Sequence, residues 1–160
     1  MKFKSRVQLR KSNKNKLVDE LSEMFGSAID SIENEKFETG TYNNTELYLV
    51  NTKPYFFKYK GTLFPTLVCV MDLDIDKNIV IVDKGAVPHV ANGADIMSPG
   101  IISAEPKIKE NEYVIVKEET HHKPLSIGYA LVNGSSMVGD SGKVIKTVHY
   151  VGDYIWNFEI

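Results

Sequence analysis

The chain has 160 residues, of which 42% are apolar and 25% charged, with a net charge of −2. These values describe a globular chain of one ordinary domain or two small ones, and they exclude low-complexity and fibrous classes. No run of about 18 apolar residues exists and no apolar segment follows the basic N-terminus, so neither a membrane span nor a secretory signal is expected. The single cysteine, Cys69, excludes an internal disulfide and fits a reducing cytoplasm.

Charge is unevenly spread. Residues 1–18 hold Lys2, Lys4, Arg6, Arg10, Lys11, Lys14 and Lys16 and no acid, so the remainder of the chain is acidic. A basic arm on a mildly acidic body suits a protein that touches phosphate backbones. Within that arm, Phe3, Val7 and Leu9 alternate weakly and predict a short strand. Ser12 or Asn13 can cap a helix reaching about Ile29, with Leu17, Leu21, Met24, Phe25 and Ala28 on one apolar face. Lys14 and Lys16 fall in its first turn, where a cation opposes the helix dipole by roughly 0.3–1 kcal/mol. Those two lysines therefore suit a partner better than they suit the helix.

Residues 34–45 are polar and turn-rich, and Glu46 to Val50 reads as a strand. Pro54 to Lys60 alternates, with Tyr55, Phe57 and Tyr59 facing a core and Phe56, Lys58 and Lys60 facing out. An exposed ring between two cations can stack a base and hold its phosphate. Gly61 to Pro65 reads as a turn, and Thr66 to Met71 as an apolar strand that buries Cys69. Asp72, Asp74 and Asp76 alternate with apolar residues, but the glycine and distal glutamate of a calcium loop are missing, so a linker is expected there. The domain boundary is placed at that linker, giving an α+β domain over residues 1–76 and a mostly-β domain over 77–160.

The second half is organised around Asp83-Lys84-Gly85-Ala86-Val87-Pro88-His89-Val90-Ala91-Asn92-Gly93-Ala94-Asp95-Ile96-Met97-Ser98-Pro99-Gly100. After an apolar strand (Ile79 to Val82), Gly85 and Gly93 bracket about two helical turns. Gly93 stands where a helix C-terminus wants a left-handed residue. An extended segment and the turn Ser98-Pro99-Gly100 follow. Beyond a charged connection (Glu105 to Glu112), strands are predicted at Tyr113 to Val116, Leu125 to Val132, Val144 to Val151 and Tyr154 to Ile160. The last two form a hairpin across Gly152-Asp153, with Trp156 in the core. Short strands at this spacing with one short helix suit a small closed barrel.

Several local motifs fail on their own chemistry. Gly139-Asp140-Ser141-Gly142 copies a serine-protease tetrapeptide without a base or an orienter in a matching context. The same loop lacks the Gly-Lys-Ser/Thr end of a phosphate-binding P-loop. His121-His122 has no further ligands at metal-site spacing. No general acid–base or nucleophile–base pair is visible, so neither an enzyme nor a cofactor is expected.

Residues 83–102 resemble the opening of a PUA domain, a small RNA-binding module named after pseudouridine synthases and archaeosine transglycosylases. His149-Tyr150-Val151-Gly152-Asp153-Tyr154-Ile155-Trp156 resembles its closing segment. Phe57-Lys58-Tyr59-Lys60-Gly61-Thr62-Leu63-Phe64-Pro65-Thr66-Leu67 is similar to the pre-PUA half of the family that includes the malignant T-cell amplified sequence proteins and their archaeal relatives. The resemblance implies an α+β N-terminal domain followed by a PUA pseudo-barrel. It further implies a cytoplasmic, non-catalytic translation factor that acts at the small ribosomal subunit in initiation, reinitiation or recycling. The partners it implies are rRNA or tRNA and, in eukaryotes, a protein with an SUI1-type domain; a monomer is expected. Carried over by position, the RNA surface is Lys84, Gly85, Ala86, His89, Asn92, Gly93, Ala94, Asp95 and Met97. Arg6, Arg10, Lys11, Lys14, Lys16, Phe56, Lys58 and Lys60 form an auxiliary basic and aromatic surface. An accessory subunit of an RNA-modification system and a protein–protein adaptor are the alternative readings.

Overall fold

The computed structural model describes residues 1–160, which divide into two compact units. The first holds Met1–Ile75 together with Phe158–Ile160, and the second holds Asp76–Asn157. The last three residues thus pack with the first unit rather than with the barrel: the Phe158 ring meets Phe3 and Tyr42 edge-on, with centroids 5.3 and 4.9 Å away.

The first unit is an antiparallel meander of β1 (Lys4–Gln8), β2 (Phe37–Tyr42), β3 (Thr45–Val50), β4 (Lys53–Tyr59) and β5 (Thr62–Pro65). Helix α1 (Lys11–Phe25) buries Leu17, Leu21 and Phe25, as its apolar spacing requires. It starts at Arg10 with no side-chain cap and stops at Gly26, and a 3-10 turn (Gly26–Ser31) carries on to the buried Ile29. Ser12 and Asn13 lie inside the helix rather than capping it.

Four expectations for this unit are corrected. Residues 34–45 contain β2, because the polar Glu38 is buried in it as the partner of Arg6. Phe56 is fully buried and not an exposed stacking ring: it stacks on Phe25 of α1 at 6.0 Å. Alternation misleads here because β4 is covered on both sides. Tyr55, which points away from Phe56, donates its hydroxyl to Asp72 (2.7 Å) at the end of helix α2 (Leu67–Asp72). That helix replaces the predicted Thr66–Met71 strand, and the predicted turn after Gly61 is largely β5. Cys69 is buried within α2.

The second unit is a six-stranded mixed sheet in the order β7-β11-β10-β9-β6-β8. Its strands are β6 (Ile79–Val82), β7 (Ile96–Met97), β8 (Ile101–Ala104), β9 (Tyr113–Glu118), β10 (Pro124–Ala130) and β11 (Lys143–Tyr150). Only β6 and β9 run parallel among its pairs. The edge strands β7 and β8 are consecutive in sequence and joined by Ser98–Gly100, which brings the two edges together into a barrel-like form. Val80, Val82, Val114, Val116, Ala130 and Ile145 fill its core, and Val90 of the short helix α3 (Val87–Ala91) joins them.

The predicted hairpin at the C-terminus is absent. After β11 the chain makes turns through residues 151–157, because the Asp153 carboxylate accepts from the backbone amides of Tyr150 (3.0 Å) and Trp156 (2.9 Å). Ile155, not Trp156, is the buried residue of this segment.

Candidate functional site

The segment from Asp83 to Gly100 is closed on itself: the Asp83 amide donates to the Gly100 carbonyl (3.0 Å). Asp83 Oδ1 also accepts from the Ala86 amide (2.9 Å), an Asx-type turn that launches α3. The helix ends in a complete Schellman motif. The Gly93 amide donates to the Val90 carbonyl and the Ala94 amide to the His89 carbonyl, both at 3.0 Å. Gly93 has φ +84°, and an added Cβ would lie 2.6 Å from the Tyr150 ring, so the position requires glycine twice over.

Between α3 and β7 this segment opens a cleft of about 500 Å³, within the range of small-ligand sites. Gly85, Ala86, His89, Ala94, Asp95 and Met97 line it, so six of the nine predicted RNA-contacting residues come together. Met97 is 48% exposed there, an apolar side chain held out rather than packed. Lys84 lies instead in a shallow hollow with Val87, Pro88 and Glu118. Asn92 is exposed at the end of α3 outside the lining, and Gly93 sits against Tyr150.

Asp95 stands at the polar rim. Its Oδ1 accepts from the Thr147 amide (2.9 Å), while Oδ2 lies 3.0 Å from Lys143 Nζ and 3.6 Å from Lys146 Nζ. Burial opposes its ionisation, but the Thr147 amide and the two lysines outweigh that and hold the carboxyl below the usual range. Asp95 is thus flanked by two cations. Sequence reasoning missed Lys143, Lys146 and Thr147. They reach Asp95 because β11 pairs with β7 (Lys143 opposite Met97), a pairing no local pattern announces.

The auxiliary surface is less free than its sequence suggests. Arg6 grips buried Glu38 through two nitrogens at 2.6 and 3.1 Å. Lys14 donates to the Glu35 carbonyl and lies 5.3 Å over the Phe37 ring. Lys58 Nζ is 3.8 Å from Glu46 and 6.0 Å from the Tyr48 ring centroid, and Lys60 lies 5.5 Å over Tyr59. Arg10, Lys11 and Lys16 stay exposed, and Lys16 shares a hollow of about 320 Å³ with Lys58 and Tyr48.

An apolar cleft with small residues on its walls and cations at its rim admits a flat, weakly solvated group and holds an attached anion outside. The His149 ring, fully buried, meets the Asp153 carboxylate at 2.9 Å, away from the cleft lining. Among the side chains, no three of His, Cys, Asp or Glu are grouped to hold a metal ion.

Residues 78–151 match the family model of the PUA domain, and residues 5–72 match that of a domain of unknown function, DUF1947. The chain is 42% identical to an uncharacterised protein of Methanocaldococcus jannaschii over 99% of each chain. It is 30% identical to Translation machinery-associated protein 20 of Saccharomyces cerevisiae, covering 72% of this chain and 67% of that one. The crystal structure of a hypothetical protein from Pyrococcus horikoshii is similar with a TM-score of 0.85 and 36% identity, over 95% of this chain and 98% of that one. With both halves of the sequence accounted for in order, the chain belongs to the family that joins a DUF1947 segment to a PUA domain and includes Translation machinery-associated protein 20 and the malignant T-cell-amplified sequence proteins.

Proposed function

We propose that this chain is a non-catalytic RNA-binding factor of translation that works in the cytoplasm at the small ribosomal subunit, in initiation, reinitiation or recycling. The observation that carries the reading is the cleft between α3 and β7. Its apolar walls suit an unstacked base, and Lys143 and Lys146 at the rim suit the phosphate beside it. The names of the relatives point the same way.

Met97→Glu tests this without disturbing the core, because Met97 is largely exposed on the cleft wall. Co-sedimentation with purified small subunits, run beside anisotropy titration with labelled tRNA, should show salt-sensitive binding that the substitution weakens on the order of tenfold. Binding to tRNA but not to subunits would move the factor to an RNA-modification system. Binding to neither RNA by the folded wild-type chain would overturn the RNA reading and leave a protein adaptor.

A further inference from the structure

A second concavity of about 850 Å³ lies where β6 and β9 begin, and it shares no residue with the cleft. The connections at residues 105–112 and 133–135 build it, and Lys77, Lys107, Lys109, Asn111, Asn133 and Ser135 stand on its walls. Three lysines outnumber two carboxylates, Glu110 and Glu112, along this lining, and both of its asparagines are set as donors. Asn111 Oδ1 accepts from the Tyr129 hydroxyl (2.6 Å), and Asn133 Oδ1 accepts from the Glu110 amide (2.9 Å). Both carboxamides thus have their oxygen committed inward, leaving each NH2 group as a donor for a ligand. One oxygen of Glu112 is turned onto the backbone, its Oε1 accepting from the Lys109 amide (2.7 Å), while Glu110 stays exposed on the rim.

These donors sit on a stiff frame. The Gly134 amide donates to the carbonyl of buried Ile108 (2.8 Å), and a Cβ at Gly134 would lie 2.0 Å from the Glu105 carbonyl oxygen. The two connections are therefore pressed together at a point only glycine can occupy. Asn111 is held at φ +76°, and its amide donates to the Ala130 carbonyl (2.8 Å). A groove with two preset carboxamide donors and more ammonium groups than carboxylates favours a negatively charged ligand rich in acceptors.

We propose that this groove is a second RNA contact that seats the phosphodiester backbone of single-stranded RNA, separate from the cleft that takes a base. The inference rests on the RNA-binding reading of the cleft and extends it. A strand held at two places on one barrel is gripped by its backbone at one and by a base at the other, which raises affinity without asking the groove to read sequence.

The test is anisotropy titration of the full chain with a labelled oligouridylate of about twelve nucleotides, between about 50 and 200 mM salt. Asn111→Asp and Asn133→Asp keep the inward oxygen and replace only the outward donor, so the fold retains its hydrogen bonds. Together they should weaken binding on the order of tenfold. Lys107→Glu with Lys109→Glu should do the same and make the salt dependence shallower by about 1.4 in log–log slope, two phosphate contacts' worth. Glu110→Gln removes the exposed carboxylate on the rim and should tighten binding about twofold, an effect that damage to the fold cannot produce. If the Met97→Glu protein loses RNA while all groove variants bind with wild-type affinity and slope, the groove inference fails and the cleft reading stands. If the wild-type chain binds no RNA, both fail. If the groove variants keep RNA but lose binding to a polyglutamate peptide, the groove is a protein-docking surface and the inference is overturned.

Discussion

Asp153 shows how much one carboxylate decides in the second unit. Charged, it accepts from His149 Nδ1 (2.9 Å) and from the amides of Tyr150 and Trp156, so one side chain serves three donors. Burial opposes its ionisation, yet the His149 contact and the two amides outweigh that and hold its pKa below the ordinary value. A carboxyl with a lowered native pKa stabilises the fold above its unfolded pKa, about 3.9, and the contribution is lost as pH falls through the lowered native value. Asp153→Ala should therefore cost about 3 kcal/mol at neutral pH, since it removes the acceptor of His149 Nδ1 and of two amides at once. Asp153→Asn should cost less and flatten the loss of stability as pH falls below about 4. Urea unfolding followed across that range checks both. An Asn variant with the wild-type acid slope would show that another carboxylate, Asp95 or Glu38, carries it.

At the scale of elements, one side chain ties the start of helix α2 to the sheet. Thr66 Oγ1 accepts from the Cys69 amide (3.1 Å) as an N-cap and donates to the Pro54 carbonyl (2.6 Å), which joins the helix start to β4. Thr66→Ala should lower stability by about 1–2 kcal/mol, while Thr66→Ser, keeping both bonds, should lose under about 1 kcal/mol. Equal urea midpoints for wild type and the Ala variant would mean the helix is held by packing alone. The same element marks the limit of reading from sequence. Leu67 to Met71 is as apolar as a buried strand, and only the cap and Tyr55 meeting Asp72 decide for a helix. Residues 83–100 were legible because their signals are local: a glycine past the helix end, an apolar i, i+3 pattern, a proline turn. So were six of the cleft residues, carried by position from the family. Strand β2, buried Phe56 and the rim lysines were not legible, because partners distant in sequence set each of them. The turns after β11 were missed although their contacts are local, because Gly152-Asp153 also fits a hairpin turn and only the Asp153 carboxylate, accepting from the Tyr150 and Trp156 amides, decides against it.

For the whole molecule, a net charge of −2 gives no general attraction to RNA, so where the cations are free matters more than how many there are. Seven cations in residues 1–18 suggest one basic arm. The fold divides them by task. Arg6 neutralises buried Glu38, and Lys14 closes α1 onto the Glu35 carbonyl and the Phe37 ring, whereas Arg10, Lys11 and Lys16 remain on the surface. Reversing the surface set (Arg10→Glu, Lys11→Glu, Lys16→Glu) should leave the urea midpoint near wild type and weaken RNA binding. Its log–log salt slope should become shallower by about 2, three contacts at about 0.7 each for a single strand. Arg6→Glu should behave in the opposite sense. It sets a second carboxylate beside Glu38 at 4% exposure, so stability should fall while the salt slope of whatever folds stays at the wild-type value. If the triple variant matches wild type at every salt concentration, the arm serves the fold alone and RNA affinity lies entirely in the second unit. If Arg6→Glu lowers the slope at unchanged stability, Arg6 leaves Glu38 to meet phosphate, and the division of cations drawn here is wrong.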